Sequence, residues 1–243
     1  MHPVCARQSN PTILKYGSKN LQPSVIDLVK FENESIRLQA VELWQEAFGD
    51  SKEYINFFLD THGSCTCLSY EENGKLSSML FLIDGELCGK SAYYLFAAAT
   101  FKSERGKGCM AKLLEKAKNY AALNGRAYIV LVPAEQSLFD YYSRFGYKTC
   151  FYAKKQGINE EFEIDKNMCF IWNKAHEEYM KAECEKFGTK LFEKSGMLFS
   201  VYGENEIKVP VKIADEKYRY GMALSFDNHI SQENFYIGLT LDG

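Results

Sequence analysis

The sequence predicts a mixed α/β fold of the α+β kind: a central, twisted, mostly antiparallel sheet flanked by helices, then an α+β extension. Three observations predict it. Asn73-Gly74 and Asp84-Gly85 join three strand-like runs into a meander, because both residues of such a pair tolerate the positive φ of a tight hairpin turn. Two amphipathic helical patterns, at 34–48 and 51–59, precede the meander. A glycine-punctuated turn follows it, opening a long helical pattern and then the apolar run 127–132, which suits a strand covered on both faces.

The order along the chain supports each element. Residues 1–23 are aperiodic and punctuated by Pro3, Pro11 and Pro23, which predicts a loosely held arm. Residues 24–31 alternate as a strand does. The first helix puts Ile36, Ala40, Leu43, Trp44, Ala47 and Phe48 on one face, and Gly49 stops it in a left-handed conformation. Ser51 caps the second helix, whose face is Tyr54, Ile55, Phe58 and Leu59. Strands follow at 65–70, 76–83 and 86–101. The long helix spans 109–123 and Asn124-Gly125 ends it. A short helix at 136–145, a strand at 147–154, a strand at 168–172 and a helix at 175–187 come next. Short strands are predicted at 197–202, 206–213, 220–226 and 235–239. The domain thus runs over 24–155, and 156–243 forms the extension.

Composition excludes several classes. Of 243 residues, 46% are hydrophobic and 25% charged, which is ordinary globular usage. A net charge of −3 argues against a non-specific nucleic-acid binder. No run approaches the roughly 18 apolar residues of a membrane span, and no secretory signal is visible. The eight cysteines, Cys65-Thr66-Cys67 among them, then read as reduced thiols used as small apolar residues. No second ligand pair suggests a metal. The expectation is a cytoplasmic protein without metal, nucleic-acid or membrane partners.

Chemistry concentrates in the stretch from Ala98, Ala99 and Thr100 through Ser103 to Arg105-Gly106-Lys107-Gly108-Cys109-Met110-Ala111. A strand feeding a glycine turn that opens a helix leaves backbone N–H groups unpaired at a positive dipole end, which is an anion cradle. Two other nucleotide motifs fail. Gly89-Lys90-Ser91 ends like a Walker A motif, but the glycine needed five positions earlier is Asp84. The turn also mimics a dinucleotide fingerprint, with Ala111 third, but hairpin-linked strands precede it rather than a parallel unit.

The order of elements and two motifs resemble the GCN5-related N-acetyltransferase (GNAT) superfamily. The first motif is Arg105-Gly106-Lys107-Gly108; its leading Gln/Arg position is Ser103 here. The second is the aromatic pair Tyr141-Tyr142-Ser143-Arg144-Phe145-Gly146-Tyr147. The wording of Pro133-Ala134 and of 142–147 is similar to the "enhanced intracellular survival" branch. The likeness covers about 24–154.

The resemblance implies an acetyl-CoA-dependent transfer of an acetyl group to a primary amine. Arg105 through Ala111 would hold the pyrophosphate, and Ala98, Ala99 and Thr100 would pair with the pantetheine arm. A backbone N–H of that strand would polarise the thioester carbonyl. Tyr142 would protonate the departing thiolate, or else pack beneath the cofactor. The family's Asn seven residues earlier is Glu135 here. Asp84, Glu86, His62 and, by analogy with the branch, the carboxylate of Gly243 are the base candidates. The acceptor is a small-molecule or protein amine. Two other readings stay open: an acyl-CoA-binding regulatory module without turnover, and a homodimer formed through exposed strand edges of the last third.

Overall fold

A computed structural model describes residues 25–27, 34–62, 65–211, 215–227 and 234–240. The expected arm, most of the first strand and the carboxylate of Gly243 lie outside these residues. Strand β1 (Val25–Asp27) is what is described of the predicted strand at 24–31.

Helix α1 (Glu34–Phe48) buries Ile36, Ala40, Val41, Leu43 and Trp44. Gly49 ends it at φ +82°, and the Trp44 indole N–H donates to Asp50 just beyond, at 2.7 Å. Phe48, expected on the buried face, is 42% exposed, because the last turn clears the sheet. Helix α2 (Lys52–Thr61) begins where the Ser51 hydroxyl accepts from the Tyr54 N–H, a cap worth about 1 kcal/mol.

The meander follows: β2 (Cys65–Glu72), β3 (Lys75–Leu87) and β4 (Lys90–Thr100). Asn73 and Gly74 make the first turn with φ of +55° and +75°. The second turn is not at Asp84-Gly85. Strand β3 runs straight through both residues, and Cys88-Gly89 turns instead, with φ of +53° and +68°. Gly85 serves a different need. A Cβ there would lie 2.6 Å from Phe170 Cε1 and 2.9 Å from the Ile171 carbonyl oxygen, so β7 (Phe170–Trp172) can pair beside it only because the side chain is absent.

Helix α3 (Cys109–Leu123) crosses from β4 to the parallel β5 (Tyr128–Leu131), whose four residues are all buried. The chain continues through α4 (Ser137–Ser143), β6 (Lys148–Gly157) and β7, then α5 (Lys174–Phe187). The remaining strands are β8 (Leu191–Lys194), β9 (Met197–Tyr202), β10 (Glu206–Pro210) and β11 (Arg219–Ser225). Strand β8 has no counterpart in the sequence-based expectation. The run 235–239 makes only two isolated bridges, Phe235 to Phe151 and Tyr236 to Cys169.

Among the described residues these strands join in one sheet, in the order β1-β2-β3-β4-β5-β11-β6-β10-β9-β8, with β7 against β3. The described strands after position 156 thus share the sheet with those before it. Strand β6 crosses position 155, and β11 lies between β5 and β6. Alternation along the strands feeds two cores. On one face α3 and α4 cover Leu80, Leu82, Leu95, Ile129 and Leu131. On the other, α1, α2 and α5 cover Phe81, Ile83, Tyr94 and Val130.

Candidate functional site

The site arises where β4 and β5 part. They pair only at Ala92, Tyr93 and Tyr94 against Tyr128, Ile129 and Val130. Further along β4 the register against β3 slips: Phe96 faces Phe81 and Ala99 faces Met79, so Ala97 and Ala98 share the space opposite Leu80. This β-bulge carries Ala97 at φ +46°. A bulge bends its strand and frees backbone groups from the ladder. It points β4 away from β5 and opens a cleft of about 1020 Å³ between Leu95–Ala98 and 131–134. A crevice beyond the carboxyl ends of diverging parallel strands is a common ligand position in α/β sheets.

Tyr142 of α4 lines this cleft, as does Ala98. Two of the residues singled out in the sequence therefore line one cleft. The Tyr142 ring makes edge contacts with Tyr141 and Tyr147. Burial, with a smaller contribution from Tyr141, pushes the Tyr142 phenol up to about 12. It holds its proton at any physiological pH and can act as a hydrogen-bond donor. Ala99 is buried, and the Thr100 hydroxyl lies 2.8 Å from that of Ser78, which fixes the end of β4.

Past Thr100 a short 3₁₀ turn, Lys102–Glu104, leads to the glycine loop. Gly106 and Gly108 adopt φ of +79° and +77°, and a Cβ at either would meet nothing within 4 Å. Both glycines are thus demanded by backbone conformation, and open space lies over them. Gly108 is the N-cap of α3 and brings no side-chain acceptor, so the first N–H groups of the helix stay uncapped. Cys109 is buried, while Met110 and Ala111 are partly exposed. The loop's charges are only partly free. Arg105 Nε donates to the Thr100 carbonyl at 3.2 Å, and Glu104 binds Lys107 at 2.9 Å and Lys75 at 3.5 Å. The Lys107 hydrogen bond, more than any other influence, holds the Glu104 carboxyl below its usual range. Ser103 and Glu135 are exposed. A pyrophosphate fits this surface through the uncapped N–H groups, the helix dipole and Arg105.

The base candidates from the sequence sit elsewhere. Asp84 pairs with Arg126 at 2.5 Å, and that guanidinium lies over the Tyr93 ring. Burial raises the Asp84 carboxyl and Arg126 opposes it. Glu86 is exposed, between β4 and β7. His62 is buried against His176. None of the three lines the cleft.

The cleft brings acidic groups of its own. Asp50 and Glu183 line it together with Trp44, Phe48, Tyr54 and Phe187, and Lys190, Lys208 and Arg219 line it too. Glu183 is 5% exposed. Burial is the main cause that raises its carboxyl above the usual glutamate range, opposed by the hydroxyls of Tyr179 and Tyr54. The sequence reading missed Glu183. Its signal was present: His176, Tyr179, Met180 and Glu183 recur at helical spacing and are the buried face of α5. Among the described residues, no group of three or more His, Cys, Asp or Glu is placed to hold a metal ion, and no helix is long and apolar enough to cross a membrane.

Residues 30–150 match the model of an acetyltransferase (GNAT) domain. No curated protein matches the chain. Among solved structures, a conserved Enterococcus faecalis V583 protein of unknown function, titled a "Probable N-Acyltransferase", is similar at 11% identity and a TM-score of 0.54, over 83% of this chain and 72% of its own. An IAA acetyltransferase from Bacillus cereus ATCC 14579 is similar at 11% identity and a TM-score of 0.44, over 84% of this chain and 99% of its own. A GNAT family acetyltransferase from Brucella melitensis, in complex with acetyl-CoA, is similar at 15% identity and a TM-score of 0.43, over 65% and 99%. The Enterococcus likeness is one of fold.

Proposed function

We propose, starting from a chain whose residues 30–150 carry a GNAT acetyltransferase domain, that it transfers the acetyl group of acetyl-CoA to a primary amine. One observation carries the reading: the uncapped N-terminus of α3, opened by two left-handed glycines, follows directly on a bulged β4 that splays from β5. An anion cradle and a cleft for the reacting groups thus lie along one continuous stretch of backbone.

Acetyl-CoA would supply an activated acetyl thioester. The N–H groups of Cys109, Met110 and Ala111, with Gly106, Gly108 and Arg105, would hold its pyrophosphate; Lys107, tied to Glu104, would add charge more than contact. Ala98, Ala99 and Thr100 would align the pantetheine arm. Tyr142 would donate a proton or a hydrogen bond to the sulfur as it leaves. A buried phenol near 12 is a weak acid towards a thiolate, whose conjugate thiol lies near 8.5, so its main service would be a hydrogen bond to developing charge.

The amine's carrier, small molecule or protein, would be set by the cleft, whose lining includes both acidic and basic side chains. The wording of Pro133-Ala134 and of 142–147 supports a place in the enhanced intracellular survival branch.

A second reading rests on Glu104. It ties up Lys107 and Lys75 beside an exposed Ser103, which would weaken phosphate binding and suit a regulatory acyl-CoA-binding module. Calorimetry with acetyl-CoA, desulfo-CoA and ATP separates the two. Acetyl-CoA binding with thiol release on adding amines supports the enzyme. Binding without release in the presence of any amine supports the module, and no binding of either CoA form sinks both.

A further inference from the structure

Among the described residues, Glu183 forms no ion pair with a basic group. The groups that act on it are Tyr54 from α2, Tyr179 from its own helix and Asp50 from the connection between α1 and α2. The Tyr54 hydroxyl donates to its Oε2 at 3.4 Å. Lys186, on the same helix, binds Glu53 at 3.3 Å instead. A carboxylate this deeply buried without a counter-charge is costly, because burial penalises the ion and two tyrosine hydroxyls offset that only in part. Yet Glu183 also lines the cleft that Ala98 and Tyr142 line. Tyr54, which bonds to Glu183, meets Phe187 edge-on, and Trp44 and Phe48 line the same cleft. A buried carboxylate in an aromatic wall is the chemistry that recognises an organic ammonium ion: charge from the carboxylate, π-faces around it. Asp50 is held by the Trp44 indole and adds negative potential without turning away.

We infer that Glu183 is the seat of the acceptor's ammonium group and the base that takes its proton. The assignment rests on the acetyltransferase reading and names its acceptor class: a primary amine on an apolar or aromatic body. In the step, one N–H bond of the ammonium breaks and an O–H bond forms on Glu183. The electron pair stays on nitrogen and becomes the nucleophile. Nitrogen then bonds to the acetyl carbon as the carbon–sulfur bond breaks, and the sulfur leaves with the pair. An ammonium ion has no pair to attack with, so such a base is required. Burial raises Glu183 towards the range where it can both accept and release a proton.

The test uses the full chain, Glu183→Gln and Glu183→Asp, with phenethylamine as probe and 2-phenylethanol as its uncharged counterpart. Thermal melts first establish that the variants fold. Calorimetry then reads acetyl-CoA and probe affinities separately, and thiol release reads turnover against pH. The expected result is unchanged acetyl-CoA affinity in Glu183→Gln and a roughly ten- to hundredfold loss of phenethylamine affinity, with loss of the preference over the alcohol. The acid limb of the pH–rate profile should move up in that variant towards the amine's own titration at about 10, and Glu183→Asp should bring back part of both effects. The assignment is overturned if the wild type does not prefer amine to alcohol. It is equally overturned if Glu183→Gln keeps the preference and leaves the acid limb where the wild type has it. Failure of the wild type to bind acetyl-CoA would instead sink the acetyltransferase reading, and the probe arm would still report on the ammonium seat.

Discussion

His62 Nε2 and His176 Nδ1 meet at 2.7 Å where α2 packs on α5, both rings buried, and the Trp172 ring stacks on His176 at 3.9 Å. One proton bridges the two nitrogens, and the outer atoms, His62 Nδ1 and His176 Nε2, have no hydrogen-bond partner among the described residues. Burial brings His62 down to about 4. Burial, then the neighbouring His62, takes His176 well below its ordinary range. The unfolded chain takes up protons near 6.5, while the folded chain refuses them down to about 4. The pair's contribution is therefore complete above about 6.5 and is lost as pH falls towards 4. The melting temperature should drop across that window, and less steeply in His62→Gln. An equally steep drop in the variant would show that other groups set the acid limit.

Gly85 tests the corrected strand. Gly85→Ala puts a methyl group into Phe170 and the Ile171 carbonyl, one of them backbone. Overpacking of this kind costs about 1–3 kcal/mol. Denaturant titration should show the loss. Were the segment a turn, alanine would be nearly neutral in packing, and the strand assignment would fail.

Glu183→Gln has a second consequence. A carboxyl raised by burial favours the protonated form in the folded chain, so the folded state gains nothing from ionisation that the unfolded state enjoys. That cost is present above the ordinary glutamate value of about 4.3 and disappears below it. Glutamine removes it. The variant should melt higher than wild type at neutral pH and equally in acid. Lower stability at neutral pH would mean the carboxylate is a structural asset after all.

The glycine loop and Tyr142 separate binding from chemistry. Gly108→Arg forces a side chain onto φ +77° at the mouth of α3 and should weaken acetyl-CoA binding by at least about tenfold. Tyr142→Phe should leave that affinity alone and slow turnover by about a hundredfold. Full turnover in the phenylalanine variant would remove Tyr142 from the chemistry.

What the sequence disclosed followed locality. The ends of α1 and α3 were readable because Gly49 and Asn124-Gly125 stop helices by their own backbone preferences. The Asn73-Gly74 turn was readable for the same reason. Asp84-Gly85 misled, because a glycine needed for close approach by β7 looks like one needed for a turn, while the real turn uses Cys88. The bulge left no mark at all: Ala97 takes φ +46° through its neighbours' pairing, and nothing in Phe96-Ala97-Ala98 announces it. The glycine loop was local and legible. The cleft wall was not, since Glu183 reaches it only after α5 docks beside α2, far away in sequence.

Strand β11 gives the molecule a schedule as well as a shape. Neither β5 nor β6 pairs with the other, and β11 bonds to both. As the chain leaves the ribosome, the segment bearing the glycine loop and Tyr142 emerges long before the strand that ties it to β6. Until then it presents two open strand edges, the condition under which nascent chains stick to one another or to chaperones. Assembly of the half that bears the glycine loop and Tyr142 thus waits on Arg219–Ser225, which are made much later.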